Sequence, residues 1–68
     1  MNDMNTIMLK INETVVQVEL TDTNINGYQF VYALEGGKRA ARHRLPSEWL
    51  LGNDRRRVFT GGNWYGKV

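Results

Sequence analysis

The chain has 68 residues, a formal net charge of +2, no cysteine and one histidine. Its length gives one domain, and a chain this short buries only about 60% of the surface that its unfolded form exposes. Without cysteine there is no disulfide framework, thiolate metal site or Cys nucleophile, and His43 alone does not make a zinc constellation.

The core therefore has to come from aliphatic residues and the aromatics, with self-association as one way to enlarge it. No apolar run approaches the roughly 20 residues that cross a bilayer. The start, MNDMNTIMLK, has neither the basic n-region nor the apolar h-region of a secretory signal. The expectation is a soluble, cytoplasmic protein, away from membranes, with no cofactor and no metal.

Residues 1–5 read as disordered. Ile7, Leu9 and Ile11 then alternate with Met8 and Lys10, and Val16, Val18 and Leu20 alternate with Gln17 and Glu19. Both patterns have the period of a half-buried strand. Asn12–Glu13 either turns the chain between them or marks a bulge in one long bent strand. Thr21–Gly27 (TDTNING) is a turn by composition, since Asn and Asp tolerate left-handed backbone and Gly27 accepts it freely.

Tyr28–Glu35 (YQFVYALE) carries the strongest strand pattern. Tyr28, Phe30, Tyr32 and Leu34 share one face, and Gln29, Val31, Ala33 and Glu35 the other. Gly36–Gly37 is a two-residue hairpin signal, because a type I′ turn needs positive φ at both positions. Counting outward from those glycines sets Leu34 opposite Arg39, Tyr32 opposite Ala41, Phe30 opposite His43 and Tyr28 opposite Leu45. That register puts Ala41, His43 and Leu45 on a core-facing aromatic face, with Lys38, Arg42 and Arg44 outward.

Pro46 ends the strand because it has no N–H for the ladder. SEWLL (Ser47–Leu51) suits one turn of 3₁₀ or α-helix, capped by Ser47 or opened by Pro46, with Trp49, Leu50 and Leu51 as a plug. Arg55–Thr60 reads as a last strand. Gly61–Gly62 either starts a final hairpin, pairing Phe59 with Trp64 and Val58 with Tyr65, or opens a loose tail over 61–68.

The order EGGK, then LPSEWL (Leu45–Leu50), then RRRVF resembles an SH3-like small barrel. In that fold a tight hairpin leads through a Pro-Ser-x-aromatic-aliphatic turn into the last strand. The resemblance implies architecture alone. The acidic-aromatic signature and the tandem tryptophan of peptide-binding SH3 domains are missing, so polyproline binding is not implied. The expected fold is all-β: an SH3-like small barrel or a strongly curved antiparallel sheet, with one short helical turn.

The charge is lopsided. Residues 38–57 hold seven basic side chains against Glu48 and Asp54, a balance of +5, while the rest of the chain holds two against five, or −3. Catalysis has little to work with: the carboxylates are scattered, there is no phosphate-loop or dinucleotide fingerprint, and His43 reads as a partly buried, hydrogen-bonded residue. The expected protein is a non-enzymatic binding module. Lys38, Arg42, Arg44, Arg55, Arg56 and Arg57 are the candidates for gripping a DNA or RNA backbone. Trp64 and Tyr65, near the end of the sequence, are the candidates for stacking on bases. The competing expectation is a protein-binding module of phage or plasmid inhibitor or adaptor type, or a homodimer, whose basic surface meets an acidic partner.

Overall fold

The computed structural model describes residues 5–68. Six strands and one helix follow in the order β1 (Thr6–Ile11), β2 (Thr14–Ile25), β3 (Tyr28–Glu35), β4 (Lys38–Pro46), α1 (Ser47–Leu51), β5 (Val58–Thr60) and β6 (Asn63–Lys67). All strand pairs are antiparallel, in a single sheet ordered β4-β3-β2-β1-β6-β5. The sheet does not close into a barrel.

Local chemistry accounts for the hairpins. Asn26–Gly27, Gly36–Gly37 and Gly61–Gly62 all have positive φ at both positions, the type I′ geometry whose twist matches its flanking strands. Asn12 supplies the positive φ of the β1–β2 turn.

The sheet curls. His43 on β4 and Tyr65 on β6 have three strands between them in the sheet order. On a flat sheet those positions stand four strand spacings apart, about 19 Å. Here His43 Nδ1 lies 2.8 Å from the Tyr65 hydroxyl. Inside the curl, Leu9, Val18, Val31 and Leu45 are completely buried, joined by Trp49, Leu50 and Tyr65. Burying a side chain of that kind contributes about 1.5–3 kcal/mol, so this small cluster is the main source of stability.

Helix α1 packs on β3 and β4, and its Trp49 donates its indole N–H to the Arg56 carbonyl at 2.6 Å. Gln29, the buried polar side chain, bonds to the Thr21 carbonyl and accepts from Ser47 Oγ at 2.9 Å. These bonds tie the start of α1 to an irregularity in β2, where three residues, Thr21–Thr23, oppose Phe30 alone.

Several expectations change. Phe59 pairs with Trp64 and Val58 with Tyr65, so the final hairpin forms and the loose tail does not. Asn12–Glu13 is a hairpin turn. Thr21–Ile25 is strand rather than turn, because Asn26–Gly27 alone reverses the chain. Arg55–Arg57 lie in a loop, and the strand starts only at Val58. Ser47 makes no capping bond to α1, since its hydroxyl goes to Gln29 instead. Leu51 is exposed, leaving Trp49 and Leu50 as the plug. The disorder expected at the start lies outside the described residues except for Asn5, whose carbonyl accepts from the Leu20 N–H at 2.8 Å.

The largest correction concerns the β3–β4 register. Near the turn it matches the count, with Glu35 opposite Lys38 and Leu34 opposite Arg39. Ala40 and Ala41 then both oppose Ala33, a one-residue bulge, so Tyr32 meets Arg42, Val31 meets His43, Phe30 meets Arg44 and Gln29 meets Leu45. A one-residue slip exchanges the faces of a strand. Val31, Gln29, His43 and Leu45 therefore face the core, while Tyr28, Phe30 and Tyr32 lie outside with Arg39, Arg42 and Arg44.

Deleting Ala41 tests this register. The deletion removes the extra residue while keeping every other side chain on its face, so the variant should unfold cooperatively with a loss of no more than about 2 kcal/mol. In the unbulged register the same deletion would turn His43 and Leu45 out of the core. Loss of cooperative unfolding on chemical denaturation would contradict the bulge.

Candidate functional site

The outer face of the β3–β4 hairpin is built from alternating planes of charge and aromatic ring. Strand alternation puts Tyr28, Phe30 and Tyr32 on one side of β3 at intervals of about 6.8 Å. The bulge puts Arg39, Arg42 and Arg44 beside them. Each arginine reaches diagonally to the ring next to its direct partner. Arg39 lies 4.3 Å from the Tyr32 ring centroid, Arg42 4.7 Å from Phe30, and Arg44 4.8 Å from Tyr28. Such diagonal neighbours are within reach of long side chains, and an exposed cation–π contact contributes about 0.5–1 kcal/mol.

The three guanidiniums differ in whether a carboxylate compensates their charge. Arg39 makes a two-pronged pair with Glu19, Nε to Oε1 at 2.9 Å and Nη2 to Oε2 at 3.4 Å. The bond from Arg39 holds the Glu19 carboxyl below its ordinary range. Among the described residues, neither Arg42 nor Arg44 has a carboxylate within 4.0 Å. Among those residues their positive charge is uncompensated.

A second aromatic cluster sits at the other end of the same sheet face. Phe59 and Trp64 pack at 5.1 Å with their rings tilted by 52°, and the Arg57 guanidinium is 4.9 Å from the Trp64 ring. Gly66 lies beneath the Arg57 side chain, whose Cγ would be 3.4 Å from a Cβ at that position. Phe59 is 59% and Trp64 43% exposed.

The sequence-derived candidates thus separate. Arg42 and Arg44 belong to the ladder, and Arg57 and Trp64 to the second cluster. Lys38 is exposed but lies on the opposite side from Arg42 and Arg44, because the bulge reverses the alternation between them. Arg56 is engaged by Asp54, whose carboxylate accepts its backbone N–H at 2.9 Å and its guanidinium at 3.2 Å, which lowers the Asp54 pKa. Arg55 sits away from both, lining a 380 Å³ cleft with Ile7, Met8, Leu9, Lys67 and Val68. Tyr65 is buried, its hydroxyl bonded to His43, so it offers no stacking surface. Sequence reasoning misses Arg39, Tyr28, Phe30 and Tyr32 as site residues. The signal for them is the aromatic alternation of β3, which reads as a core face until the bulge is known.

His43 ends a hydrogen-bond chain that begins at a backbone donor. The Trp64 N–H donates to Asn12 Oδ1 at 3.1 Å, Asn12 Nδ2 to Asn63 Oδ1 at 3.0 Å, and Asn63 Nδ2 to the Tyr65 hydroxyl at 3.4 Å. The hydroxyl in turn lies 2.8 Å from His43 Nδ1, a bond that either group can donate according to the imidazole tautomer. Burial pushes the His43 pKa below its ordinary value. No carboxylate completes a catalytic arrangement there, and no group of three metal-ligating side chains occurs among the described residues.

Comparison with known proteins finds no matching family model, no matching curated protein and no matching solved structure.

The lowered His43 pKa sets a stability window. The unfolded chain binds a proton near pH 6.5, before the folded one does. Stability is therefore full above that pH and declines as the pH falls from about 6.5 toward the folded pKa. The His43→Gln variant should lack this slope between about pH 7 and 5. It should keep the separate decline below about pH 4.5, where protonation breaks the Glu19 and Asp54 pairs. Urea midpoints across pH measure both. An unchanged slope in the variant would remove the imidazole as its source.

Proposed function

We propose that the chain is a non-enzymatic module that binds nucleic acid through the outer face of the β3–β4 hairpin. One observation carries the reading: Arg42 and Arg44, without carboxylate partners among the described residues, lie on aromatic rings on a single exposed surface. Uncompensated arginines attract phosphates, and their contribution depends on salt because binding releases counterions. Guanidinium planes and aromatic faces accept bases of any identity, so the expected sequence preference is slight.

The Phe59–Trp64 pair favours a second reading for the other end of the sheet. Two packed, exposed aromatics with an arginine beside them have the composition of a protein-binding anchor. Arg57 would direct that anchor to an acidic partner.

The Arg42→Ala/Arg44→Ala double variant tests the first reading. Its affinity for mixed-sequence DNA and RNA should fall for all sequences alike. The log–log salt slope should shrink by roughly 0.7–0.9 for each phosphate that is no longer neutralised. Arg56→Ala, which removes a cation already paired with Asp54, should change little. Fluorescence anisotropy between low and physiological salt measures all three proteins. If the unmodified protein shows no binding at low salt, the nucleic-acid reading fails and the protein-anchor reading takes its place.

A further inference from the structure

Building on the nucleic-acid reading, we infer that the ladder takes an extended single strand, one nucleotide per arginine–aromatic rung and three in all, with phosphate contacts at only two of the rungs. The geometry of the rungs points to the strand. Tyr28, Phe30 and Tyr32 repeat every second residue, about 6.8 Å apart, twice the roughly 3.4 Å rise of stacked nucleotides along a duplex strand. A stacked strand would meet a rung at every second base. An unstacked, extended strand meets one at each.

The placement of the guanidiniums points the same way. Each guanidinium carbon lies over its ring, 4.3–4.8 Å from the centroid. Each rung therefore joins a planar cation to an aromatic ring, and planar groups of both kinds recognise the faces of bases. A duplex hides those faces inside its stack, whereas an unpaired strand can lay them on arginine or aromatic planes.

Two rungs and the third then act differently. Arg42 and Arg44 stack on their rings while their N–H edges have no carboxylate partner among the described residues, so each can donate to a phosphate. Arg39 offers the same plane, but Glu19 occupies its Nε and Nη2 edge and compensates its charge. Arg39 is a stacking platform held in place by Glu19, and Arg42 and Arg44 are platform and phosphate clamp together.

The test uses the full chain, oligothymidylates and oligouridylates of two to ten nucleotides, and a mixed-sequence duplex of ten base pairs. Affinity should rise steeply up to three nucleotides and beyond that only with the number of equivalent registers, and the single strands should bind more tightly than the duplex. Arg39→Lys keeps a cation for Glu19 but removes the plane. It should lose roughly tenfold in affinity with its salt slope unchanged, whereas Arg42→Ala should lower both. Glu19→Gln should steepen the slope by about 0.7, the amount one phosphate adds on a single strand. Thermal melts confirm that each variant is folded.

A duplex that binds as tightly as the single strands, or Arg39→Lys binding like the unmodified protein, overturns this inference and leaves nucleic-acid binding standing. Absence of binding to every probe overturns both.

Discussion

Ala40 and Ala41 share one partner, Ala33, and the use of the hairpin follows from that two-against-one count. From Arg42 onward the extra residue exchanges the two sides of β4. His43 and Leu45 enter the core, and Arg42 and Arg44 join Arg39 beside the aromatic side of β3. A bulge also bends and twists its strand, and β4 is an edge strand of a sheet that has to curl over a small core. Alanine suits the position: neither residue has a side chain that needs a partner, and both are exposed.

Curvature then decides which side chains fit where. The concave side has room for Leu9, Val18, Val31 and Leu45, with the two larger plugs Trp49 and Tyr65 entering from α1 and β6. The convex side splays, so Tyr28, Phe30 and Tyr32 stand there half-covered, and arginines complete their cover. The curl is drawn in by the bond between His43 and Tyr65, which joins β4 to β6 across the core. A neutral imidazole suits that site, because a charge there would be poorly solvated.

Much of this is legible in the chain. The period-two pattern of YQFVYALE, the paired glycines at 36–37 and 61–62, and the Pro-Ser-x-Trp turn locate β3, two of the tight hairpins and α1. What is not legible is the side of β3 that is buried. Both sides are largely apolar, and size favours the aromatic one. Only β4 can settle the matter, and its decisive feature is an extra alanine in a run of small residues, which leaves no mark on the hydrophobic pattern. The Asn26–Gly27 hairpin is hidden for a related reason. Thr21–Asn24 has the composition of a loop, but the Thr21 hydroxyl, donating to the Phe30 carbonyl at 2.7 Å, keeps the irregular segment on the sheet.

The ladder's residue types fit that geometry. Lysine would supply the same charge for phosphates, but its ammonium is a strongly hydrated point that offers no plane to a ring or a base. Arginine keeps two functions apart in space: the face of the guanidinium stacks and its edge donates. A carboxylate beside the edge can therefore remove the electrostatic function and leave the stacking one intact. That is the arrangement at Arg39, where Glu19 takes the edge while the face remains on Tyr32. At Arg42 and Arg44 both functions remain open. A hairpin covering its aromatics merely to limit apolar exposure would gain nothing from this division, because paired and unpaired arginines cover a ring equally well. Under the proposed nucleic-acid binding the division matters, because a nucleotide is planar and negatively charged at once.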